Sequence, residues 1–180
     1  MSVSTTDKII VFHGTTTLID VIDVSLGKPF KDFGRGFYVS KSKDHASNLA
    51  LRNKRIEIER YSRFCEAYVY TYEIDMSKLR GFNTKEFINA DYEWLQFIIS
   101  NRKMRDRSHN YDVVFGPTAN DDTMVVVNAY LDALYGKIGE EDALNTLLKN
   151  IRADKLPGQI YFSNNEAANS LVPKGKVEIL

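Results

Sequence analysis

Two short strand-like runs near the start of the chain lie so close together that they constrain the fold more than any other feature. Ile9-Ile10-Val11-Phe12-His13 is a β-branched run ended by Gly14, and Gly36-Phe37-Tyr38-Val39-Ser40 is a second. The stretch from Ser25 to Arg35 between them is rich in Gly, Pro and charge and reads as loop. Strands this short and this close argue against βαβ crossovers, which place a helix between parallel neighbours. The pattern therefore predicts an α+β fold.

The rest of the chain agrees. From Lys43 the pattern turns helical, with Ala46, Leu49 and Ala50 on one side and the basic stretch Arg52-Asn53-Lys54-Arg55 beyond. Ala67 to Ile74 alternates like a half-buried strand, with Tyr68, Tyr70, Tyr72 and Ile74 on one face. Asn83 and Glu86 have the spacing of a capping box before a helix carrying Trp94, Leu95, Ile98 and Ile99. Tyr111 to Phe115 is a strand stopped by Gly116-Pro117. Asn120 or Asp121 then caps a helix with Val126, Val127, Tyr130, Leu131 and Leu134 as its apolar residues. Glu141 to Ile151 is a further helix. Pro157-Gly158 turns into the strand Gln159 to Phe162, Asn164 caps a short helix, and Lys176 to Leu180 closes as a strand. No repeat or linker divides the chain, so residues 1–180 are expected to form one domain.

Composition narrows the function classes. The 24 basic and 24 acidic residues cancel, so no global field recruits nucleic acid or membrane. With Cys65 alone there is no intrachain disulfide, which fits a reducing cytosol. The start of the chain lacks a signal pattern, and no apolar run approaches the ~20 residues of a membrane span; a cytoplasmic protein is expected. His13, His45 and His109 are scattered without metal-ligand spacing, and no metal is expected.

Chemistry concentrates in the first quarter. A histidine ending an apolar strand can offer a ring nitrogen to a ribose hydroxyl, while the following glycine lets a ligand approach bare backbone. Gly34-Arg35-Gly36 implies a loop with unusual dihedrals feeding straight into a strand. Phe37-Tyr38 then suits stacking on a flat ring, and Lys28, Lys31 and Arg35 suit a diphosphate. Gly34-Arg35-Gly36 precedes a strand rather than joining strand to helix, so it is not the dinucleotide fingerprint of the two-domain dehydrogenases.

The order His-Gly-Thr, then Gly-Arg-Gly-Phe-Tyr-Val-Ser with Lys-Ser and an alanine-bearing helix, resembles the NAD+-binding core of the ADP-ribosyltransferase superfamily. The branch it resembles is the His-Tyr-Glu one of diphtheria-type toxins and poly(ADP-ribose) polymerases. Leu26-Gly27-Lys28-Pro29 onward, Tyr111 to Asp122, and Leu156 to Ile160 are also similar to a small bacterial family of unassigned function placed in that superfamily. The resemblance implies a split β-sheet core with flanking helices and NAD+ as substrate. It implies that His13 holds the ribose beside nicotinamide, that the Gly14 backbone binds the carboxamide, and that Tyr38 stacks on the nicotinamide ring. Phe12, Thr15, Lys28, Lys31, Phe33, Gly34, Arg35, Gly36, Phe37 and Ser40 would complete the NAD+ pocket.

The family's third residue, a late-strand glutamate, stabilises the positive charge that develops on ribose. Here Gln159 stands in that place, with Glu166 and Glu178 as fallbacks. A glutamine bonds the 2′-hydroxyl without bringing charge. Its competing role is that of a surface turn residue. Asp121 is the candidate carboxylate near the acceptor, against a helix-capping role. Arg52, Lys54, Arg55, Arg60 and Arg63 read as a solvated helix face or a guide for a nucleic-acid acceptor.

The expectation from the resemblance is a mono-ADP-ribosyltransferase acting on an unidentified protein or nucleic acid. The toxin of a toxin–antitoxin or phage-defence pair, with an antitoxin protein as partner, is the setting it implies. Two alternatives stand beside it. One is an NAD-dependent RNA 2′-phosphotransferase, and the other is a non-catalytic module that binds a nucleotide or a partner.

Overall fold

A computed structural model describes residues 7–119, 121–151 and 156–180. Eight strands among these residues form one sheet: β1 (Lys8–Thr15), β2 (Phe37–Ser40), β3 (Tyr68–Asp75), β4 (Thr84–Glu86), β5 (Val113–Pro117), β6 (Gly158–Phe162), β7 (Leu171–Pro173) and β8 (Glu178–Ile179). Their order is β4-β5-β6-β2-β1-β3-β7, with β8 also on β3. Every pairing is antiparallel except β4 with β5. The expected α+β class is observed.

Among the described residues five α-helices accompany the sheet: α1 (Lys43–Tyr61), α2 (Tyr92–Arg102), α3 (Asp121–Leu131), α4 (Glu141–Ile151) and α5 (Asn165–Ala168). Because successive side chains of a strand point to opposite faces, the sheet carries two separate cores. One face packs Phe33, Val114 and Tyr161 against Trp94, Leu95, Ile98, Val127, Leu147 and Ile151 of α2, α3 and α4. The other packs Val11, Phe37, Val39, Tyr72, Ile160 and Phe162 against Ala167, Ala168 and Leu171. Phe12 is level with Ser40, and Gly14 and Tyr38 follow at the same parity on their strands. All four therefore belong to the first face. There α1 presses so close that a Cβ on Gly14 would lie 1.9 Å from the Ala46 carbonyl oxygen.

Three expectations need correction. Asn83 and Glu86 do not start a helix. The residues that follow Asn83 form β4, paired in parallel with β5, and the Asn83 N–H donates to Asp112 Oδ2 at 2.9 Å. The helix begins at Tyr92, capped by Asp91, whose side chain accepts from Trp94 N at 3.0 Å. Gly116-Pro117 does not stop its strand, since β5 runs through both and Pro117 lies opposite Gly158. The closing strand is confined to Glu178–Ile179, and β7 precedes it where no strand is expected.

Candidate functional site

The sheet is nearly divided between β1 and β2. The Asp7 carbonyl accepts from Met76 N at 3.1 Å, so odd-numbered residues of β1 exchange backbone bonds with β3. Even-numbered residues, Phe12 and Gly14 among them, turn their N–H and C=O toward β2. The ladder between β1 and β2 closes at one register, Phe12 with Ser40. Two residues further the same register would set Gly14 opposite Tyr38, and the pairing is not made. The Tyr38 carbonyl instead accepts from the ring of His13, 2.6 Å from Nδ1.

That bond settles the state of His13. A carbonyl only accepts, so Nδ1 carries the hydrogen and Nε2 is left as an acceptor. Burial lowers the pKa of the ring to about 4, with the Tyr38 carbonyl bond acting the other way. His13 is therefore neutral at pH 7. Its ring stacks on Phe37, centroids 4.2 Å apart and planes at 23°. Being odd-numbered, His13 lies on the second face with Phe37, whereas Tyr38 packs on the first with Phe33 and Tyr161. The two residues expected in one pocket thus stand on opposite faces and meet through the Tyr38 backbone. Tyr38 keeps part of its surface, but its hydroxyl is committed to its own loop. It donates to the Gly34 carbonyl at 2.6 Å and accepts from Phe33 N at 3.1 Å. Burial first, and then the charge of Asp32, push its pKa well above the ordinary tyrosine value.

Gln159 shares the first face, opposite Ser40 on β2 and Gly116 on β5. It is 8% exposed, which corrects the surface-turn role. Its Nε2 donates to Asp32 Oδ2 at 2.9 Å. Asp32 is the hub of the region and is 5% exposed. It takes Arg102 Nε at 2.8 Å and Nη2 at 2.6 Å on one oxygen, and Ala119 N at 2.9 Å on the other. His45, on the first turn of α1, lies within reach of the Asp32 charge, and burial lowers its pKa. No residue-level pattern in the sequence marks Asp32 or Arg102, because they stand 70 positions apart with no periodic relation. His45 is visible only as a histidine just inside a helix start.

The remaining expected residues are dispersed. Gly34 does adopt an unusual dihedral, φ +93°, which admits glycine readily. The Arg35 guanidinium is occupied by the carbonyls of Gly27 and Ser25. Lys28 and Lys31 are exposed on the loop, while Phe33 is fully buried. The Ser40 hydroxyl donates to Gly158 O at 3.2 Å and accepts from Ser42 N at 3.1 Å, fixing the turn into α1. Thr15 Oγ1 accepts from Thr17 N at 3.1 Å. Asp121 is the first residue of α3; Asn120 lies outside the described residues. Glu166 is exposed on α5, and Glu178 pairs with Lys43 at 2.6 Å. In the basic run, Lys54 pairs with Glu66 at 2.6 Å and Arg63 with Glu57 at 3.6 Å. Among the described residues, no group of three or more His, Cys, Asp or Glu side chains is placed to hold a metal. Nor is any described helix long and apolar enough to cross a membrane.

A family model described as a protein of unknown function, DUF3990, matches residues 9–172. The chain belongs to that family. The match spans His13, Asp32, Tyr38, Arg102 and Gln159, so the gap between β1 and β2 and the Asp32 cluster both lie inside the DUF3990 unit. No curated protein and no solved structure matches the chain.

Proposed function

We propose that this DUF3990 protein is an ADP-ribosyltransferase that breaks the nicotinamide–ribose bond of NAD+ and passes ADP-ribose to a macromolecular acceptor. The observation that carries the reading is the gap between β1 and β2. There Gly14 turns an N–H and a C=O toward a strand that does not pair with it. A primary carboxamide, with one acceptor oxygen and an NH2 donor, complements that pair as a neighbouring strand would, and nicotinamide carries one. The neutral His13 ring at the same gap, with Nε2 as an acceptor, suits a ribose hydroxyl. The sequence resemblance supports the same reading, including an ADP-ribosyltransferase-like core, a cytoplasmic toxin role and an antitoxin partner.

One observation favours a second reading, a module that binds the nucleotide without cleaving it. Gln159 brings no charge, and the carboxylate it meets, Asp32, is already matched by Arg102. Labelled NAD+ incubated with whole lysate separates the two. The transferase reading expects label in protein, RNA or DNA, and that label falls at least about tenfold with His13→Ala. Label undiminished by His13→Ala, or absent from every fraction, contradicts it.

A further inference from the structure

Among the described residues, Gln159 is the one buried amide side chain that meets a carboxylate on the Tyr38 face, and its orientation is dictated rather than chosen. Its Nε2 donates to Asp32 Oδ2 at 2.9 Å and, at a longer 3.4 Å, to the Pro117 carbonyl. Both partners only accept. Turning the amide over would set its oxygen against a carboxylate and a carbonyl, so the assignment of N and O follows from chemistry. Asp32 cannot swing away, because Arg102 and Ala119 N hold both its oxygens. Arg102 is held in turn, its Nη2 donating to the Ala119 carbonyl at 3.0 Å. With both amide protons committed, Oε1 is the atom left for a ligand. Among the described residues none donates to it.

We infer that Asp32, clamped by Arg102, is a positioning residue that makes Gln159 present an acceptor and no donor to the site. This selects a hydroxyl on the ligand at that point. The inference rests on the transferase reading, in which the hydroxyl is one on the ribose that loses nicotinamide. In that step the C1′–N bond breaks and its electron pair leaves with nicotinamide. Positive charge then spreads over C1′ and the ring oxygen. The acceptor's nucleophile forms the new bond to C1′ and gives its proton to solvent. Oε1 accepts from the ribose hydroxyl and turns the negative end of the amide dipole toward the developing charge. Asp32 behind the amide polarises it in the helpful direction. Because Arg102 offsets that carboxylate, the cluster supplies orientation and a dipole in place of the net negative charge of a glutamate.

Three variants test this against a merely structural role: Asp32→Asn, Gln159→Glu, and the exchange Asp32→Asn/Gln159→Glu. The readouts are kcat and KM for nicotinamide release from NAD+, with thermal unfolding alongside. Asp32→Asn frees the amide to turn over, and kcat is expected to fall on the order of 10²-fold with KM changed far less. Gln159→Glu sets a second carboxylate against Asp32, so activity should acquire a pH dependence from their shared proton. In the exchanged pair the amide now at position 32 donates to the carboxylate now at position 159. A carboxylate accepts with either oxygen and needs no orienting, so kcat should recover at least about tenfold over Asp32→Asn. The exchanged pair also re-forms the bond between positions 32 and 159 and can restore stability. For that reason kcat is compared at a temperature where thermal unfolding shows every variant folded, so that a recovered kcat reports on positioning.

A folded Asp32→Asn protein with wild-type kcat, or an exchanged pair no better than it, overturns the inference while leaving the transferase reading intact. A wild-type protein that releases no nicotinamide overturns both. Should Asp32→Asn fail to fold, side-chain amide NMR of the wild type decides. The Gln159 NH2 pair, identified by its loss in Gln159→Met, is expected to exchange slowly with water, and fast exchange overturns the clamp.

Discussion

The state of His13 is set by one bond and by its surroundings, and it makes a pH prediction. Its folded pKa of about 4 lies below the ordinary 6.5, so the unfolded chain binds the proton more readily. The corresponding stability is fully present above pH 6.5 and is lost as pH falls toward 4. His45 and His109 are also lowered by burial and act in the same direction. Urea unfolding of the wild type should show stability dropping between pH 7 and pH 5. His13→Gln should flatten that drop by about 1–2 kcal/mol. An unchanged pH profile in His13→Gln would show that the ring does not titrate as its burial requires.

The residue types of the site were legible, but not their orientation. His13, Gly14 and Tyr38 stand out by their chemistry and by the strands that hold them. That His13 and Tyr38 sit on opposite faces depends on strand parity across a break in pairing, which no local pattern encodes. Gln159 was singled out only through the resemblance, as the residue standing where that family carries a glutamate. Its partner Asp32 was not, because the pairing joins residues 127 apart. Position in sequence says nothing about such a contact.

At the scale of elements, the closest approach is α1 on β1. A Cβ at Gly14 would lie 1.9 Å from backbone of Ala46, so Gly14→Ala must push the helix off the strand. A loss of about 3 kcal/mol or more is expected in denaturant unfolding. Gly158→Ala is the control, because a Cβ there meets nothing within 4 Å. It should stay within about 0.5 kcal/mol of wild type. Equal losses at both glycines would contradict the contact. The helix with a strong periodic stripe, α4, follows the sequence pattern closely, whereas on α1 Ala46 and Ala50 are buried as expected and Leu49 is exposed. The capping-box spacing of Asn83 and Glu86 was overridden by tertiary pairing, since β4 gains a parallel partner in β5 and Asn83 gains Asp112. Short segments take their structure from neighbours that a local pattern does not include.

For the whole molecule, the sheet stands between two cores, and the catalytic proposal needs both. Leu147, on α4, is fully buried in the helical core. Leu147→Ala is expected to cost about 2–5 kcal/mol. Trp94, the single tryptophan, is fully buried in the same core and reports on it, its Nε1 donating to the Pro117 carbonyl at 3.0 Å. Its fluorescence and the far-UV circular dichroism should change together on unfolding if the two cores are cooperative. Separate transitions would mean that the helical layer opens by itself. The α+β class was legible from the closeness of the first two strands. The place where the sheet divides became visible only with the register of every strand in hand.

Cleavage of the nicotinamide–ribose bond is read by nicotinamide release from NAD+, with the purified protein alone and with lysate fractions. Wild-type protein should release nicotinamide, and His13→Ala should release it at least about tenfold more slowly while remaining folded. Binding of NAD+ with no nicotinamide released in any fraction would contradict the transferase, as would release that His13→Ala leaves unchanged.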